Sequence, residues 1–598
     1  SVSTRSIHPE SPTFSANNDT SLKCDVKTQI DSGWVCGRVR EAEEGVQYAS
    51  FRGIPYAKQP LHELRFKELQ PIDPWPNVRL ATEEGPICPQ YDEVYGRMAR
   101  PVGMSESCIL ANVHVPLGVP EPGSEDICQQ TGLPILVFIH GGGFQVGSGD
   151  SDIHGPEYLV SKGVILVTFN YRLNVFGYLS LNSASVPGNN GLRDVVTLLK
   201  WVQKNARAFG GDPDNVTLAG QSCGSVAAHL VALSEASIGL LKRVILMSGV
   251  GNAGFFTASP AYAETVATAF LNHVGVNATD ADEIHEQLIH MPLEKIMEAN
   301  RIVQFTTGLV SFVPVVEAEH PTITRILDDY PSELIKRGRG KDLPIIVGTT
   351  SIECEFFKLR IEYLDLVGHT VKNPVAALPP NITYSVSESM ARHLAEILMG
   401  RYYEGGVTVD KIIKCSTNSF FSYPAFKLAE WRAAKGAAPL YKYLFDFDSD
   451  FNAVKFGRML KYEGGSAHLE DQTFVLRVNS LMDQDEKSFP PRSRDDLMKH
   501  WMTTFVVNFI HPLCDNQSEW PATDEKLNYQ LIKEPVRKML LNSGSLNKMA
   551  MSRTCNKNEN KVIFNTYAGS SSKDRRRNHS IMFGSDKKKS YDYIVKLN

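Results

Sequence analysis

The stretch DNVTLAGQSCGSVAAHL, residues 214–230, runs a β-prone segment (Val216, Thr217, Leu218) into a single serine, Ser222, framed by Gly220 and Gly224, and then becomes helix-like. A hydroxyl on a sharp strand-to-helix turn needs small residues two before and two after it, because the strained backbone leaves no room for a Cβ. Gly220-Gln221-Ser222-Cys223-Gly224 meets that need as a G-x-S-x-G sequence. The turn also aims the N–H of Cys223 and the positive end of the following helix at any oxyanion formed beside Ser222. Taken alone the pattern is weak, since about 0.2 chance matches are expected in a chain of this length at ordinary Gly and Ser frequencies.

Outward from this turn, apolar β-branched runs recur at LPILVFI (133–139), VILVTF (164–169), NVTLAG (215–220), RVILMSG (243–249), LPIIVG (343–348) and PLYKYLF (439–445), and read as buried strands. Between them lies GLRDVVTLLKWVQKNARAF (191–209), whose Leu192, Val195, Val196, Leu199 and Val202 repeat at the three- and four-residue spacing of one helix face. Such alternation predicts an α/β fold with a large, mostly parallel, doubly wound sheet and helices on both faces. The segment FIHGGGFQVGSG (138–149) directly follows one of the strands. Consecutive glycines let backbone N–H groups turn inward, so Gly142 and Gly143, with Cys223, are candidate donors to an oxyanion, each worth about 3 kcal/mol of barrier.

The composition bounds the rest. At 598 residues and 42% hydrophobic content the chain can bury a large core, and its longest apolar runs are too short to cross a bilayer. A formal net charge of −5 argues against nucleic acid as partner. The charge is uneven: from Cys555 onward roughly ten Lys/Arg face about four Asp/Glu. Ten cysteines without a C-x-x-C pair fit neither a disulfide scaffold nor a zinc site. The opening SVSTRSIHPE has neither methionine nor apolar signal core, so a native start upstream is the expectation. Sequons at Asn18, Asn215, Asn277, Asn381, Asn516 and Asn578 fit a secreted glycoprotein. Residues 554–598 read as a basic, disordered tail.

From about Thr28 to Arg553, the ordered segments FRGIPYAKQP, LRFKELQP, GMSESCILANVHVP, HGGGF, NYRLNVFGYL, GNNGLRD, FGGDPDNVTLAGQSCGS and SFVPVVE resemble the carboxylesterase/cholinesterase branch of the α/β-hydrolases. The resemblance implies an N-terminal arm over 1–27 and one large carboxylesterase α/β-hydrolase domain over 28–553, with its site at the bottom of a narrow gorge. It also supplies an acid and a base downstream of Ser222: Glu353 in VGTTSIECEFF, where the residues alone leave Glu355 as an equal choice, and His468 in GGSAHLEDQTFVL. Ser222 is then the nucleophile, His468 the base and Glu353 its orienting acid, with an acyl-enzyme intermediate and no metal or other cofactor. Arg65 with Glu106 and Arg172 with Asp194 match structural ion pairs of the family, and Cys88 with Cys108 matches a family disulfide worth about 3 kcal/mol in the chain-entropy model.

Four departures narrow the expected substrate. No tryptophan stands between Cys88 and Cys108, where cholinesterases hold a quaternary ammonium by cation–π attraction. The acyl-pocket positions ahead of and within SFVPVVE are Gly308, Val310 and Phe312, which predicts room for acyl groups larger than acetyl. Tyr423 and Gln287 stand where cholinesterases place cysteines, as in insect-type or general esterases. Gln221 and Cys223 replace the usual Glu and Ala beside the nucleophile. That Gln and Arg65–Phe66 resemble juvenile hormone esterases, whereas Val195 after Asp194 departs from them. A small hydrophobic ester is the expected partner. The competing class is a noncatalytic binding or adhesion protein of the same fold, and the survival of all three candidate residues with the glycine loop favours the enzyme.

Overall fold

The computed structural model describes residues 15–16, 24–92, 94–100, 102–117, 132–307, 311–482, 489–511, 522–524, 527–535 and 566–567. Most of the expected N-terminal arm and basic tail lie outside these residues, as do Gly308, Val310, Cys128, Cys514, Cys555, Asn18, Asn516 and Asn578.

The main strands are β1 (Val26–Ile30), β2 (Gly33–Glu41), β3 (Gln47–Pro55), β4 (Leu110–Pro116), β5 (Leu133–Ile139), β6 (Ile165–Phe169), β7 (Gly211–Gln221), β8 (Arg243–Met247), β9 (Ile345–Thr350), β10 (Leu440–Phe445) and β11 (Tyr529–Ile532). They form one sheet in the order β1-β2-β3-β4-β6-β5-β7-β8-β9-β10-β11. The ladders from β1 through β4 to β6 are antiparallel. From β6 through β5 to β11 all are parallel. All six apolar runs read from the sequence are strands of the parallel part, and β1 to β4 add an antiparallel flank that the apolar runs did not reveal.

Parallel strands read as continuous apolar runs because both faces are covered. Along β5, Ile135, Val137 and Ile139 belong to one apolar cluster and Leu136 and Phe138 to another. The first face carries α1 (Asn190–Asn205) and α2 (Cys223–Leu233). Leu192, Val195, Val196, Leu199 and Val202 of α1 are all buried there, and the predicted helix ends in a 3-10 turn at Ala206–Phe209. On the second face α3 (Arg494–Ile510), capped by the Ser493 hydroxyl, packs Met498, Trp501, Met502 and Val506. Each large apolar side chain so buried contributes about 1.5–3 kcal/mol.

Strand order reverses direction at β5: the chain passes from β5 to β6 on one side and then to β7 on the other. In such sheets ligands bind at the carboxyl ends of the strands beside the reversal. Register sets Ile139 beside Gly220 and Gln221 beside Met247, so the glycine loop after β5 and Ser222 after β7 emerge next to each other.

Buried polar contacts hold the segments around this point. Arg172 Nε and Nη2 donate to the two oxygens of Asp194 at 2.8 and 2.6 Å, and Arg65 Nε and Nη2 donate to Glu106 at 2.8 and 2.5 Å. A further pair, Arg193 with Glu317, ties GNNGLRD to SFVPVVE, and Glu317 also accepts from the N–H groups of Ile326 and Leu327. Removing one partner of such a buried pair costs about 3–5 kcal/mol, since a charge is left uncompensated. Cys88 is bonded to Cys108 and Cys24 to Cys36, the second a pairing that neither spacing nor resemblance supplied. Of the described sequon asparagines, Asn215 and Asn381 are buried and Asn277 is exposed. Among the described residues no helix is long and apolar enough to cross a membrane.

Candidate active site

Ser222 sits between β7 and α2 with φ +57° and ψ −130°, a conformation that non-glycine residues rarely adopt. The cost is held in place by packing and by Ser222 N–H donating to Met247 O at 2.8 Å. The flanking glycines are sterically required: a Cβ on Gly220 would lie 2.3 Å from Gly224 O, and one on Gly224 would lie 2.1 Å from Ile139 O.

Gly142 and Gly143 both have positive φ, +107° and +67°, which turns their N–H groups as an L side chain would not allow. A Cβ on Gly142 would meet Val146 O at 2.1 Å, and one on Gly141 would meet Ser222 Cβ at 2.9 Å, so this loop lies directly against the serine. Gln90 holds it from behind: its Nε2 donates to Gly147 O at 2.9 Å and its Oε1 accepts from Gly147 N–H at 2.6 Å. Cys223 opens α2, and burial pushes its thiol well up, against the weaker pull of Gly143 N–H and the Ser222 hydroxyl. The thiols of Cys354 and Cys415 are pushed up by burial as well. All three thiols line the same cavity as Ser222, and in the protonated form they are poor nucleophiles.

Glu353 and His468 meet from remote parts of the chain. Glu353 opens a 3-10 turn just after β9, and its Oε2 lies 2.6 Å from His468 Nδ1. Its Oε1 accepts from Thr350 N–H at 2.7 Å, while His468 N–H donates to Glu353 O at 3.2 Å. Both side chains are buried, at 0% and 3% exposure, so the carboxylate acts on the imidazole with little screening. Glu355, the alternative acid, instead pairs with Lys358 at 3.0 Å. On the other side of the ring, Gln221 Nε2 lies 3.1 Å from His468 Nε2.

A cavity of about 280 Å³ opens onto Ser222, Gly142, Gly143, Cys223 and His468. Three Phe-Phe pairs converge on it: Phe255–Phe256, Phe356–Phe357 and Phe420–Phe421. Phe421, Phe356 and Phe357 stand 4.9, 5.8 and 5.8 Å from the His468 ring. The arrangement sets a hydroxyl, a carboxylate-oriented imidazole and the glycine-loop backbone against one largely apolar chamber, which suits acyl transfer from an ester.

Of the predicted pocket residues, Gly308 and Val310 lie outside the described residues. Phe312 departs from expectation, because it is not among the cavity-lining side chains. Its ring is buried in the main core, edge-on to Phe270 at 5.9 Å, and it gives the site only its carbonyl, which accepts from Gln145 Nε2 at 3.0 Å. The Phe pairs, Gln145 and Gln90 were not singled out by sequence. Three doubled phenylalanines in the segments after β8, after β9 and before β10 were the visible signal.

The carboxylesterase family model matches residues 24–559. The juvenile hormone esterase of Heliothis virescens is 47% identical over 518 residues, 86% of this chain and 90% of that protein. Esterase FE4 of Myzus persicae is 30% identical over 506 residues, 83% of this chain and 86% of that protein. Among solved structures, juvenile hormone esterase from Manduca sexta with OTFP covalently attached is 49% identical, with a TM-score of 0.81, covering 85% of this chain and 95% of that one. With an α/β-hydrolase sheet, these similarities show that the chain belongs to the carboxylesterase family and is a serine hydrolase of carboxylic esters.

Proposed function

We propose that the chain hydrolyses long apolar carboxylic esters of the juvenile hormone type, with Ser222, His468 and Glu353 carrying the reaction. The observation that supports this most is the aromatic chamber ending on Ser222, whose volume of about 280 Å³ exceeds the need of an acetyl ester. Identity leans the same way: 47% and 49% to two proteins named juvenile hormone esterase, against 30% to esterase FE4.

In this reading Ser222 Oγ attacks the ester carbonyl carbon while His468 Nε2 takes the hydroxyl proton. The carbonyl oxygen becomes an oxyanion facing the N–H groups of Gly142, Gly143 and Cys223. Glu353, 2.6 Å from Nδ1, stabilises the imidazolium and keeps the ring oriented. Collapse expels the alcohol, which leaves with the proton from Nε2, and water repeats the sequence on the acyl-enzyme to release the acid. The raised thiol of Cys223 leaves that residue to act through its backbone. The two disulfides and the exposed sequon at Asn277 support a secreted protein.

The test is a turnover profile over chromogenic acetate, butyrate and longer esters, a juvenile-hormone-type methyl ester and acetylcholine, with titration by an organophosphate. Longer esters should outrun acetate, acetylcholine should be nearly inert, and one equivalent of organophosphate should abolish turnover. The reverse ranking would overturn the substrate assignment, and silence with every ester would favour a noncatalytic binding protein.

A further inference from the structure

Gln221 stands where the family resemblance leads one to expect a carboxylate, and its side chain is turned into the site rather than away from it. It is 1% exposed at the last position of β7. Its Oε1 packs against the glycine loop, 2.9 Å from where a Cβ on Gly141 would sit, and its Nε2 is 3.1 Å from His468 Nε2. The direction of that second contact follows from the first ring nitrogen. The Glu353 carboxylate can only accept, so Nδ1 carries the proton, and in the neutral ring Nε2 offers a lone pair. An amide N–H of Gln221 donates to that lone pair. A glutamate here could only accept, and would draw a second proton onto the ring.

We propose that Gln221 is a positioning residue for the base: its amide N–H, donated to Nε2, fixes His468 in the tautomer protonated toward Glu353 and gives up that lone pair to the Ser222 hydroxyl proton as the ester is attacked. The inference rests on the assignment of Ser222 and His468 as the reacting pair. The other charged or titratable groups around the ring are Glu353 and Cys354 on the turn after β9, Cys223 on α2, and Glu470 and Asp471 on its own segment. Asp471 is engaged by the Tyr443 hydroxyl at 2.6 Å, and Arg458 lies over Phe356 at 4.9 Å. Among these, Gln221 is the side chain that the structure bonds to Nε2.

The experiment is the pH dependence of kcat/KM for a butyrate ester in Gln221→Glu and Gln221→Met, with Ser222→Ala as control. Activity falls at acid pH as the imidazole takes its second proton. A carboxylate at this distance favours the charged ring, so Gln221→Glu should raise the midpoint of the acid limb by about one pH unit or more. Gln221→Met fills the space without donating, and its midpoint should rise by less. Thermal unfolding establishes that each variant is folded, and organophosphate titration that both Gln221 variants keep a full count of sites. Midpoints that stay at the wild-type value in both folded variants, with kcat/KM lowered equally at every pH, would reduce Gln221 to packing and overturn the proposal. Turnover surviving in Ser222→Ala would instead overturn the underlying assignment of the nucleophile.

Discussion

Two regions meet at Ser222 and are built on different terms. Residues 133–250 present the site through the backbone: a parallel register, positive φ angles and glycines whose Cβ atoms would collide with carbonyl oxygens 2.1–2.3 Å away. Residues 255–256, 356–378 and 403–421 present it through side chains, chiefly phenylalanines closing an apolar chamber. Backbone geometry tolerates almost no change, whereas an apolar wall can be rebuilt as long as its volume is kept. The first region is therefore expected to govern the chemistry and the second the choice of ester, and variants in each should separate the two.

The largest effect is expected at Ser222→Ala, which removes the proposed nucleophile and should lower kcat by about 10⁴-fold or more, measured by single-turnover hydrolysis. Gly142→Ala should cost about 10²–10³-fold in kcat for long and short esters alike, because the added methyl must displace Val146 O and turn an amide out of the oxyanion site. Equal loss across substrates is the signature of the backbone region. Phe420→Ala should act selectively, raising KM for a long apolar ester about tenfold while leaving an acetate ester nearly unchanged, since one aromatic contact is worth about 1–2 kcal/mol. An equal effect on both esters would erase the contrast.

The smallest effect concerns stability at the seam of the two regions. Glu470 is buried two residues beyond His468, and burial pushes its carboxyl up to about 8, against weaker favourable contacts with Asn452, Ala467 and Lys455. An acid that binds its proton more tightly when folded loses stability as pH rises from its unfolded value, about 4.3, to its folded one. Glu470→Gln is free of that loss. Its melting temperature relative to wild type should climb between about pH 4.5 and 8 and level off above. A difference that stays flat with pH would contradict this.

The two regions also differed in how far the sequence revealed them. Runs such as LPILVFI and VILVTF announce strands because every position is buried, on one face or the other. The turn at Ser222 was legible because sterics restrict positions 220 and 224 to glycine. The flank of β1 to β4 was hidden because VKTQI and GWVCGRVRE carry charges among their apolar residues, leaving no continuous run to read. The pairing of Glu353 with His468, the proposed acid and base, was legible through family resemblance alone, since local pattern left Glu353 and Glu355 even. The phenylalanine pairs looked like ordinary core until the fold turned them toward one space. The contact of Gln221 with His468 spans 247 positions and has no local trace.

The spread of Ser222, Glu353 and His468 along the chain has a consequence for synthesis. The hydroxyl and its glycine frame are made 246 residues ahead of the imidazole proposed to draw off its proton, which follows only after β10. A polypeptide ending anywhere short of His468 carries the attacking group without its base. On the proposed assignment, nascent chains and early truncation products would not attack esters before the whole sheet has closed around them.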